Sequence, residues 1–271
     1  MKTREAVFSI PDFASFFTNF VLPPMRAEEL QEAIGFEARK HIPLPLSEVS
    51  FDWQIVAGKV GRQEPLEVLL VAVPNEVLYQ YREIASMARV QLKVLEAEVF
   101  GLIRSGLGGE LAPVLLMDIG AQTTTLSLVL KGVLHTSHSV DTAGSAFTAR
   151  IAQALLLERD QAEKEKVTKG FQSQDLFPVL SPLADLIILE AKKMIDTLHQ
   201  LEGKEVARVF LGGGSARLQG LREYMEKEIG KPTVIIDPFR SIFYPPILEK
   251  SIQEDGPAFA VAVGMALRGL Q

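Results

Sequence analysis

The stretch LLMDIGAQTTTLSLV, residues 115–129, decides the fold, because it places an acid, a glycine and three threonines between two apolar runs. Apolar runs on both sides of a turn predict two neighbouring strands. One interpretation is a plain hairpin with a glycine turn. The other is a phosphate and metal site, because an aspartate at a strand end can hold hydrated Mg²⁺ and Gly120 lets the backbone approach a phosphate. The stretch alone supports both.

Composition narrows the class of protein. The chain has 271 residues, of which 47% are apolar and 23% are charged, and this predicts a soluble globular protein of one large or two modest domains. The formal net charge of −6 and the absence of a dense Lys/Arg block argue against electrostatic binding to nucleic acid or anionic lipid. The chain has no cysteine, and its apolar stretches are too short to span a bilayer. We therefore expect a cytoplasmic protein without direct membrane insertion.

The order of elements indicates two units. Residues 5–97 predict an α+β module with the order strand, strand, helix, strand, strand, helix, strand. Three strands follow within residues 114–140, then a helix at about 143–157. The charged stretch 158–170 predicts a solvated helix with local ion pairs, to which we give little functional weight. A helix opened by Ser181 and Pro182, a strand ending in glycines and further helices complete an α/β pattern with partly parallel strands.

Glu190 is the second candidate site residue. On a helical wheel that starts at Leu183, Glu190 falls in the middle of an apolar face and Lys193 lies on its flank. A carboxylate that faces inward is costly unless it is paired or contacts a ligand. Two interpretations therefore stay open: an internal pair with a neighbouring basic residue, or an acceptor for ribose hydroxyls with Lys193 beside it.

Gly212, Gly213, Gly214 and Ser215 form the third candidate, between a predicted strand and a predicted helix. Glycines leave room for a flat ligand, and the N-terminus of the following helix favours negative charge. A plain turn is the alternative, since no Gly-Lys-Ser/Thr follows. His135 and His138, three residues apart on a predicted strand, should face opposite sides and make a poor metal pair.

Together, the three candidates follow one another in the order used by actin-like nucleotide-binding proteins. The chain resembles the type IV pilus assembly protein PilM family of the actin-like ATPase superfamily. The segments that carry this resemblance are LPPMRAEELQEAIGFEARKHIPLPLSEVSFDWQIV (22–56), LLVAVPNEVLYQY (69–81) and PAFAVAVGMALRGL (257–270). TAGSAFTARIA (142–152) resembles the Gly-Gly helix start of the family, although Ala143 stands where the first glycine is usual.

The resemblance implies an α/β fold of actin-like (RNase H-like) subdomains with an inserted α+β subdomain, incomplete at its N-terminal side. The inserted subdomain would cover 5–98 on the partner-binding side, with the remainder of the first actin-like half at 99–157 and the second half at 158–271. ATP and Mg²⁺ are the implied cofactors, with Asp118 as a metal ligand. The implied nucleotide-binding residues are Asp118, Gly120, Gln122, Thr123, Thr124, Thr125, Glu190, Lys193, Gly212, Gly213, Gly214 and Ser215.

The match departs from the family at its start. Actin-like proteins carry a first phosphate loop with another Asp-x-Gly, but neither Asp12 nor Asp52 is followed by x-Gly. A deliberately shortened chain, a late gene start and a natural short form completed by a partner all stay open. We expect an open edge and an uncovered apolar face in the sheet that contains 114–140, and weak or absent ATP binding.

The leading functional prediction is a non-catalytic cytoplasmic adaptor of type IV pilus assembly, peripheral to the inner membrane through its partner. It would dock the N-terminal cytoplasmic tail of a PilN-like inner-membrane protein between the inserted and actin-like subdomains, and would contact other pilus machine components. We identify no catalytic residue and expect weak ATPase activity at most. The alternatives are an active ATPase or sugar-kinase-like phosphotransferase, and a filament-forming cytoskeletal protein.

Overall fold

The computed structural model describes residues 4–270, which form three sheets and nine α-helices within that range. The first part of the chain contains β1 (Glu5–Ile10), β2 (Phe16–Leu22), α1 (Ala27–His41), β3 (Val49–Ala57), β4 (Leu66–Pro74), α2 (Asn75–Met87), β5 (Gln91–Ala97) and α3 (Glu98–Gly106). The second part contains β6 (Val114–Ile119), β7 (Thr124–Leu130), β8 (Val133–Val140), α4 (Gly144–Leu155), α5 (Arg159–Lys169), α6 (Phe177–Glu202), β9 (Arg208–Gly212), α7 (Leu221–Ile229), β10 (Thr233–Ile235), α8 (Glu249–Asp255) and α9 (Ala260–Arg268).

A three-stranded antiparallel sheet, with the order β2-β4-β3, forms the inserted part of the molecule. Helix α1 packs its apolar stripe on one face of this sheet, where Ile34 and Ala38 are completely buried against Leu66 and Leu70. The helix ends before Ile42, as the prolines after it predict, because proline has no amide donor and restricts the residue before it.

The five-stranded sheet, with the order β10-β9-β6-β7-β8, positions the candidate site. Strand β6 runs parallel to β9 and antiparallel to β7, which confirms the predicted mixture of pairings. Side chains alternate between two cores: Leu115 and Met117 face the helices α4, α6 and α7, whereas Leu116 faces α3. The sheet is therefore covered on both faces, and the prediction that one of its apolar faces is uncovered is wrong.

Strands β1 and β5 pair with each other in parallel, in a sheet separate from the inserted one. Strand β1 contacts α9, and α3 follows β5 directly. Residues 5–98 thus contain two sheets, and the domain boundaries at 98 and 157 stay predictions.

Helices α3 and α9 cross with their backbones in contact. A Cβ atom added to Gly264 would lie 1.9 Å from the carbonyl oxygen of Gly101, so only glycine fits there. The hydroxyl of Ser105 donates to the carbonyl of Ala260 across the same crossing at 2.7 Å. These contacts fix the position of α3, a helix that the sequence pattern did not predict because its end enters a glycine-rich loop.

Helix α6 begins one turn earlier than predicted. It starts at Phe177, with Pro178 in its first turn, and Pro182 lies inside it. The predicted start at Ser181 fits the usual capping pattern, but burial of Leu180 in the core favours a longer helix. None of the helices within residues 4–270 combines the length and apolarity that crossing a bilayer requires.

Candidate functional site

The turn after β6 forms the centre of the candidate site. The amide of Gly120 donates to the carbonyl of Thr123 at 3.1 Å and closes the turn. The carbonyls of Gly120 and Ala121 accept hydrogen bonds from the first amides of α4, those of Gly144 (3.0 Å) and Ser145 (2.8 Å). The turn and the N-terminus of α4 therefore form one rigid unit.

The three threonines do not share one role. Thr124 is completely buried, and its hydroxyl donates to the carbonyl of Thr142 at 2.6 Å. The hydroxyl of Thr125 lies 3.1 Å from that of Ser139 on β8. Gln122 is exposed and Thr123 is half-buried. Of the predicted phosphate-loop hydroxyls, those of Thr124 and Thr125 are thus engaged inside the sheet.

The glycine run after β9 lies directly against this turn. Gly213 has a φ of +83°, and a Cβ atom there would lie 2.5 Å from Oδ1 of Asp118. The amide of Ser215 donates to the carbonyl of Ile119 at 3.1 Å. Gly214 is exposed, with open space where a side chain would stand. Asp118 and residues 212–215 are therefore brought together, and glycine is required at 213 by conformation and by space.

Lys166 and Glu163, which the sequence analysis passed over, complete this region. The ammonium group of Lys166 donates to the carbonyl of Gly144 (3.0 Å), to Oγ1 of Thr148 (2.8 Å) and to Oε2 of Glu163 (2.8 Å). The Lys166 side chain is only 6% exposed. Burial raises the pKa of Glu163, but the hydrogen bonds from Lys166 and Thr148 outweigh this effect, and the pKa lies below its usual value.

A cavity of about 410 Å³, which we call the α4–α5 cleft, opens between these elements. Its lining comprises Gly120, Ala121, Gly144, Ser145, Arg159, Asp160, Glu163, Lys166, Val167, Gly214, Ser215 and Leu218. The charged stretch 158–170 is a helix with local ion pairs, as expected, but the prediction that it is merely solvated is wrong. Lys166 follows the buried Ala162 at a spacing of four, and this spacing was the available signal.

Glu190 and Lys193 lie elsewhere. The buried stripe of α6 runs through Ala184, Ile188 and Ile195, so Glu190 lies on the flank of that face and not in its middle. Both residues line a cavity of about 300 Å³ between β8 and α6, which contains no residue of the glycine run. Glu190 pairs with Lys193 at 3.5 Å. The predicted common crevice of residues 118, 190 and 212–214 is therefore not formed.

A β-bulge places both histidines on that second cavity. Leu128 pairs with Thr136 and Val129 with Leu134, so His135 is the extra residue on β8. The bulge resets the alternation, and His135 and His138 both line the β8–α6 cavity. The prediction that they face opposite sides is wrong for this reason.

The histidines pair with carboxylates of α6 and not with each other. Nε2 of His135 lies 2.7 Å from Glu202, and Nε2 of His138 lies 4.0 Å from Glu190. Within residues 4–270, no group of three His, Cys, Asp or Glu side chains has a geometry that could hold a metal ion.

Three carboxyl groups meet near the end of β6. Burial raises the pKa of Asp118 to about 6, and the charge of Glu98 adds to the effect. Burial also raises the pKa of Asp12 to about 8, although its Oδ1 accepts a hydrogen bond from the amide of Val99 at 3.1 Å. A single carboxylate such as Asp118 can hold Mg²⁺ when water and phosphate supply the other ligands.

Comparison with known proteins supports the fold. The family model described as type IV pilus assembly protein PilM matches residues 2–270. A chain of the solved PilM-PilN type IV pilus biogenesis complex superposes with a TM-score of 0.88 at 25% identity, over 100% of this chain and 81% of that chain. MreB5 of Spiroplasma citri bound to AMPPNP is similar in fold, with a TM-score of 0.51 at 17% identity over 72% of this chain and 64% of that one. The predicted actin-like fold is confirmed.

Two curated relatives match parts of the chain. The ethanolamine utilization protein EutJ of Escherichia coli (strain K12) is 26% identical over 132 residues, which are 48% of this chain and 44% of EutJ. The cell division protein FtsA of Streptococcus pneumoniae is 24% identical over 177 residues, which are 64% of this chain and 36% of FtsA. The chain thus spans less than half of the length of either relative.

Proposed function

Because the chain belongs to the type IV pilus assembly protein PilM family, we propose that it is a non-catalytic adaptor of type IV pilus assembly. It docks the N-terminal cytoplasmic tail of a PilN-like inner-membrane protein and so joins the cytoplasmic face of that membrane to other components of the pilus machine. The family match favours this function over an ATPase, a sugar-kinase-like phosphotransferase or a filament-forming protein. The residues 5–98 form the partner-binding side.

The observation that carries the proposal is a cavity of about 480 Å³ between the inserted sheet and the β1–β5 pair, which we call the docking cleft. Its apolar walls are Leu69, Val71 and Val73 of β4, Leu78 of α2, Leu95 of β5 and Phe100 of α3. Several of these side chains are only half-buried, so apolar surface remains for an extended segment.

Two strand edges flank the docking cleft. Strand β3 is one of the two edge strands of the inserted sheet, and β5 pairs only with β1 among the described strands. Ser50, Asp52 and Gln54 of β3 give one wall a polar character. An extended peptide could therefore place apolar side chains on the floor while its backbone pairs with an edge strand, which is a common mode of peptide recognition.

Capture of the tail tests the docking proposal. The N-terminal tail of the cognate inner-membrane protein is immobilised and mixed with the chain, with and without ATP. We expect retention of the chain and its loss in Val71→Glu, because a carboxylate on an apolar floor is costly to bury. The control is Val234→Glu on the exposed surface of β10, which should be retained like the parent. Equal retention of both variants, or none of the parent, contradicts the proposal.

The α4–α5 cleft is the second part of the proposal, and we propose that it takes ATP with Mg²⁺. Gly120, Gly214 and Ser215 would hold the phosphates, Glu163 and Lys166 the nucleoside, and Asp118 the hydrated metal ion. The cleft fits such a ligand because glycine backbone is exposed at its wall, yet few donors are free. The amides of Gly144 and Ser145 and the ammonium of Lys166 are already engaged, so binding is weak.

Calorimetric titration with Mg-ATP tests this site. We expect binding in the millimolar range, which weakens further in Glu163→Gln and stays unchanged in the matched control Glu190→Gln of the other cavity. Micromolar affinity would contradict the argument from engaged donors. Equal weakening by the two variants would contradict the placement of the site. We expect no turnover of ATP, since Glu163 accepts hydrogen bonds from Thr148 and Lys166 and is not free to act as a base.

A further inference from the structure

One hydrogen bond joins the inserted sheet to the five-stranded sheet. The side-chain amide of Asn19, on β2, donates to the main-chain carbonyl of His135, the bulged residue of β8. Among the hydrogen bonds and ion pairs within residues 4–270, no other joins these two sheets. The orientation of one sheet on the other therefore depends on a single directional contact. Because the acceptor is a main-chain oxygen, this contact does not require a particular side chain at position 135.

The remaining contacts between the inserted sheet and the rest of the molecule are apolar, and cavities border them. Phe17 of β2 meets Phe100 of α3 edge to face, with ring centroids 6.3 Å apart, and Leu69 of β4 is buried in the core that also contains Leu134 of β8. Such contacts have no preferred direction. The docking cleft borders them at Leu69 and Phe100, and a cavity of about 650 Å³ borders them at Asn19 and Leu134. An interface beside empty space resists a change of tilt less than a close-packed one does.

Asn19 belongs to a row of side chains that leads into the docking cleft. It lies directly opposite Leu69 of β4, and Leu69 lies directly opposite Gln54 of β3. Side chains that are directly opposite on neighbouring strands share one face of the sheet. Leu69 and Gln54 both line the docking cleft, whereas its other wall, with Leu95 of β5 and Phe100 of α3, lies outside the inserted sheet. A change in the tilt of the inserted sheet on β8 therefore changes the width of the docking cleft.

The carboxamide of Asn19 is only half satisfied. Within residues 4–270, its Oδ1 is the one buried side-chain oxygen or nitrogen that has no hydrogen-bond partner. Leucine has a similar branched shape, so Asn19→Leu removes this oxygen but leaves the carbonyl of His135 without its donor. The two changes act in opposite directions on the free energy of unfolding. Asn19 therefore fixes an orientation while it contributes little to stability, which distinguishes it from a residue with a purely structural role.

We propose that Asn19 is a positioning residue for the docking cleft. Its hydrogen bond to β8 fixes the tilt of the inserted sheet and holds the cleft at the width that accepts the partner segment. The role of the cleft in docking rests on the proposed function, whereas the control of its width by Asn19 does not. A cleft of fixed width binds an extended segment more tightly than one that samples several widths, because less ordering remains to be done on binding.

Spin labels across the docking cleft test the control of its width without a partner. The chain contains no cysteine, so Gln54→Cys on β3 and Gln91→Cys on β5 give one label on each side of the cleft, both at exposed positions. We expect one narrow distribution of the distance between the labels in this labelled parent. Addition of Asn19→Leu should broaden or displace the distribution. An unchanged distribution in Asn19→Leu would overturn the proposal.

Matched variants separate the orientation of the sheet from packing within β2. Thr18→Val is an isosteric change on the neighbouring residue, whose side chain lies on the opposite face of the sheet, and it should leave the distribution narrow. Asn19→Gln retains the carboxamide, and the cavity of about 650 Å³ beside it has room for the additional methylene, so the distribution should again be narrow. In urea unfolding, Asn19→Leu and Thr18→Val should have the same midpoint. A broad distribution in either matched variant, or a lower midpoint in Asn19→Leu alone, would refute the positioning role.

Capture of the immobilised tail by the unlabelled variants separates the two proposals. The Kd for the tail should rise about fivefold or more in Asn19→Leu and stay unchanged in Thr18→Val. Undiminished capture by Asn19→Leu leaves the adaptor function standing and refutes the positioning role. A broadened label distance without any capture of the tail by the parent supports the control of the cleft width and refutes the adaptor function. Broadening together with weaker capture in Asn19→Leu alone supports both.

Discussion

The α4–α5 cleft and the β8–α6 cavity each contain a Glu and a Lys three residues apart on a helix, yet the two pairs differ in burial and in hydrogen bonding. Lys166 is 6% exposed and makes three hydrogen bonds, two of which tie α5 to α4. Lys193 is 71% exposed and has one ion pair at 3.5 Å. The first pair fixes the position of two helices, whereas the second contributes little to stability.

The difference shows that spacing does not locate a site. The same Glu-x-x-Lys pattern occurs on both helices, and the apolar neighbours of Glu190 favoured the wrong one. The decisive property is whether the lysine can reach carbonyl and hydroxyl acceptors on another element. Lys166 reaches Gly144 and Thr148 because α5 packs on α4.

The largest effect is expected where the cleft depends on a single glycine. Gly213→Ala should lower the free energy of unfolding by about 4 kcal/mol, because a left-handed conformation is costly for alanine and the added Cβ would overlap Asp118. The control is Gly214→Ala, where the space is open and the cost should stay below about 1 kcal/mol. Urea unfolding measures both. Equal losses would mean that the glycine run is a plain turn.

Asp118, beside the glycine run, and Glu202, in the β8–α6 cavity, should change the free energy of unfolding in opposite directions as the pH changes. The pKa of Asp118 is raised to about 6 in the folded chain, so the folded state retains a proton that the unfolded state releases above pH ~4. The contribution of Asp118 to the free energy of unfolding is complete below its pKa in the unfolded chain and is lost as the pH rises to about 6. The loss is up to about 3 kcal/mol.

Asp118→Asn removes that titration. Its advantage over the parent in urea unfolding should grow between pH 4 and 6 and then stay constant. In the other cavity, a hydrogen bond from Lys204 is the main cause that lowers the pKa of Glu202, so its contribution is present at neutral pH and lost as the pH falls. Glu202→Gln should therefore show the opposite trend. A pH-independent difference for Asp118→Asn would contradict the raised pKa.

The smallest losses of stability are expected for Lys166 and Lys193, which can be compared directly. Lys166→Met should cost about 2 kcal/mol, because the variant removes the hydrogen bonds that the ammonium group donates to Gly144, Thr148 and Glu163. Lys193→Met should stay within about 0.5 kcal/mol, as is usual for an exposed ion pair. Thermal unfolding measures the pair of variants side by side. A larger loss in Lys193→Met would reverse the comparison.

The elements of the second half were predictable because each carries a clear period. Strand β8 spans Val133–Val140, as its sequence indicates, and the turn at Lys131 and Gly132 has the positive φ angles of a tight hairpin. The proximity of Asp118 to the glycine run also followed from the order of elements, since parallel strands β6 and β9 end at the same edge of the sheet.

The predictions that failed depend on contacts between distant elements. The sequence around His135 does not reveal the bulge, because both flanking segments fit a regular strand. The side-chain amide of Asn19, in the distant inserted sheet, donates a hydrogen bond to the carbonyl of the bulged residue. The burial of Lys166 depends on the packing of α5 against α4. Helix wheels gave α6 the wrong orientation since its polar and apolar faces are not sharply separated: Leu186 and Leu189 are exposed on it.

The extra residue on β8 also determines where the chain tolerates a change of length. Loss of His135 would leave the pairs on both sides of the bulge in place, because Leu134 and Thr136 already oppose consecutive residues of β7. Loss of one residue inside β7 would instead move every later side chain of that strand to the opposite face. Insertions and deletions among related chains should therefore be found at position 135 and be absent from Thr124–Leu130.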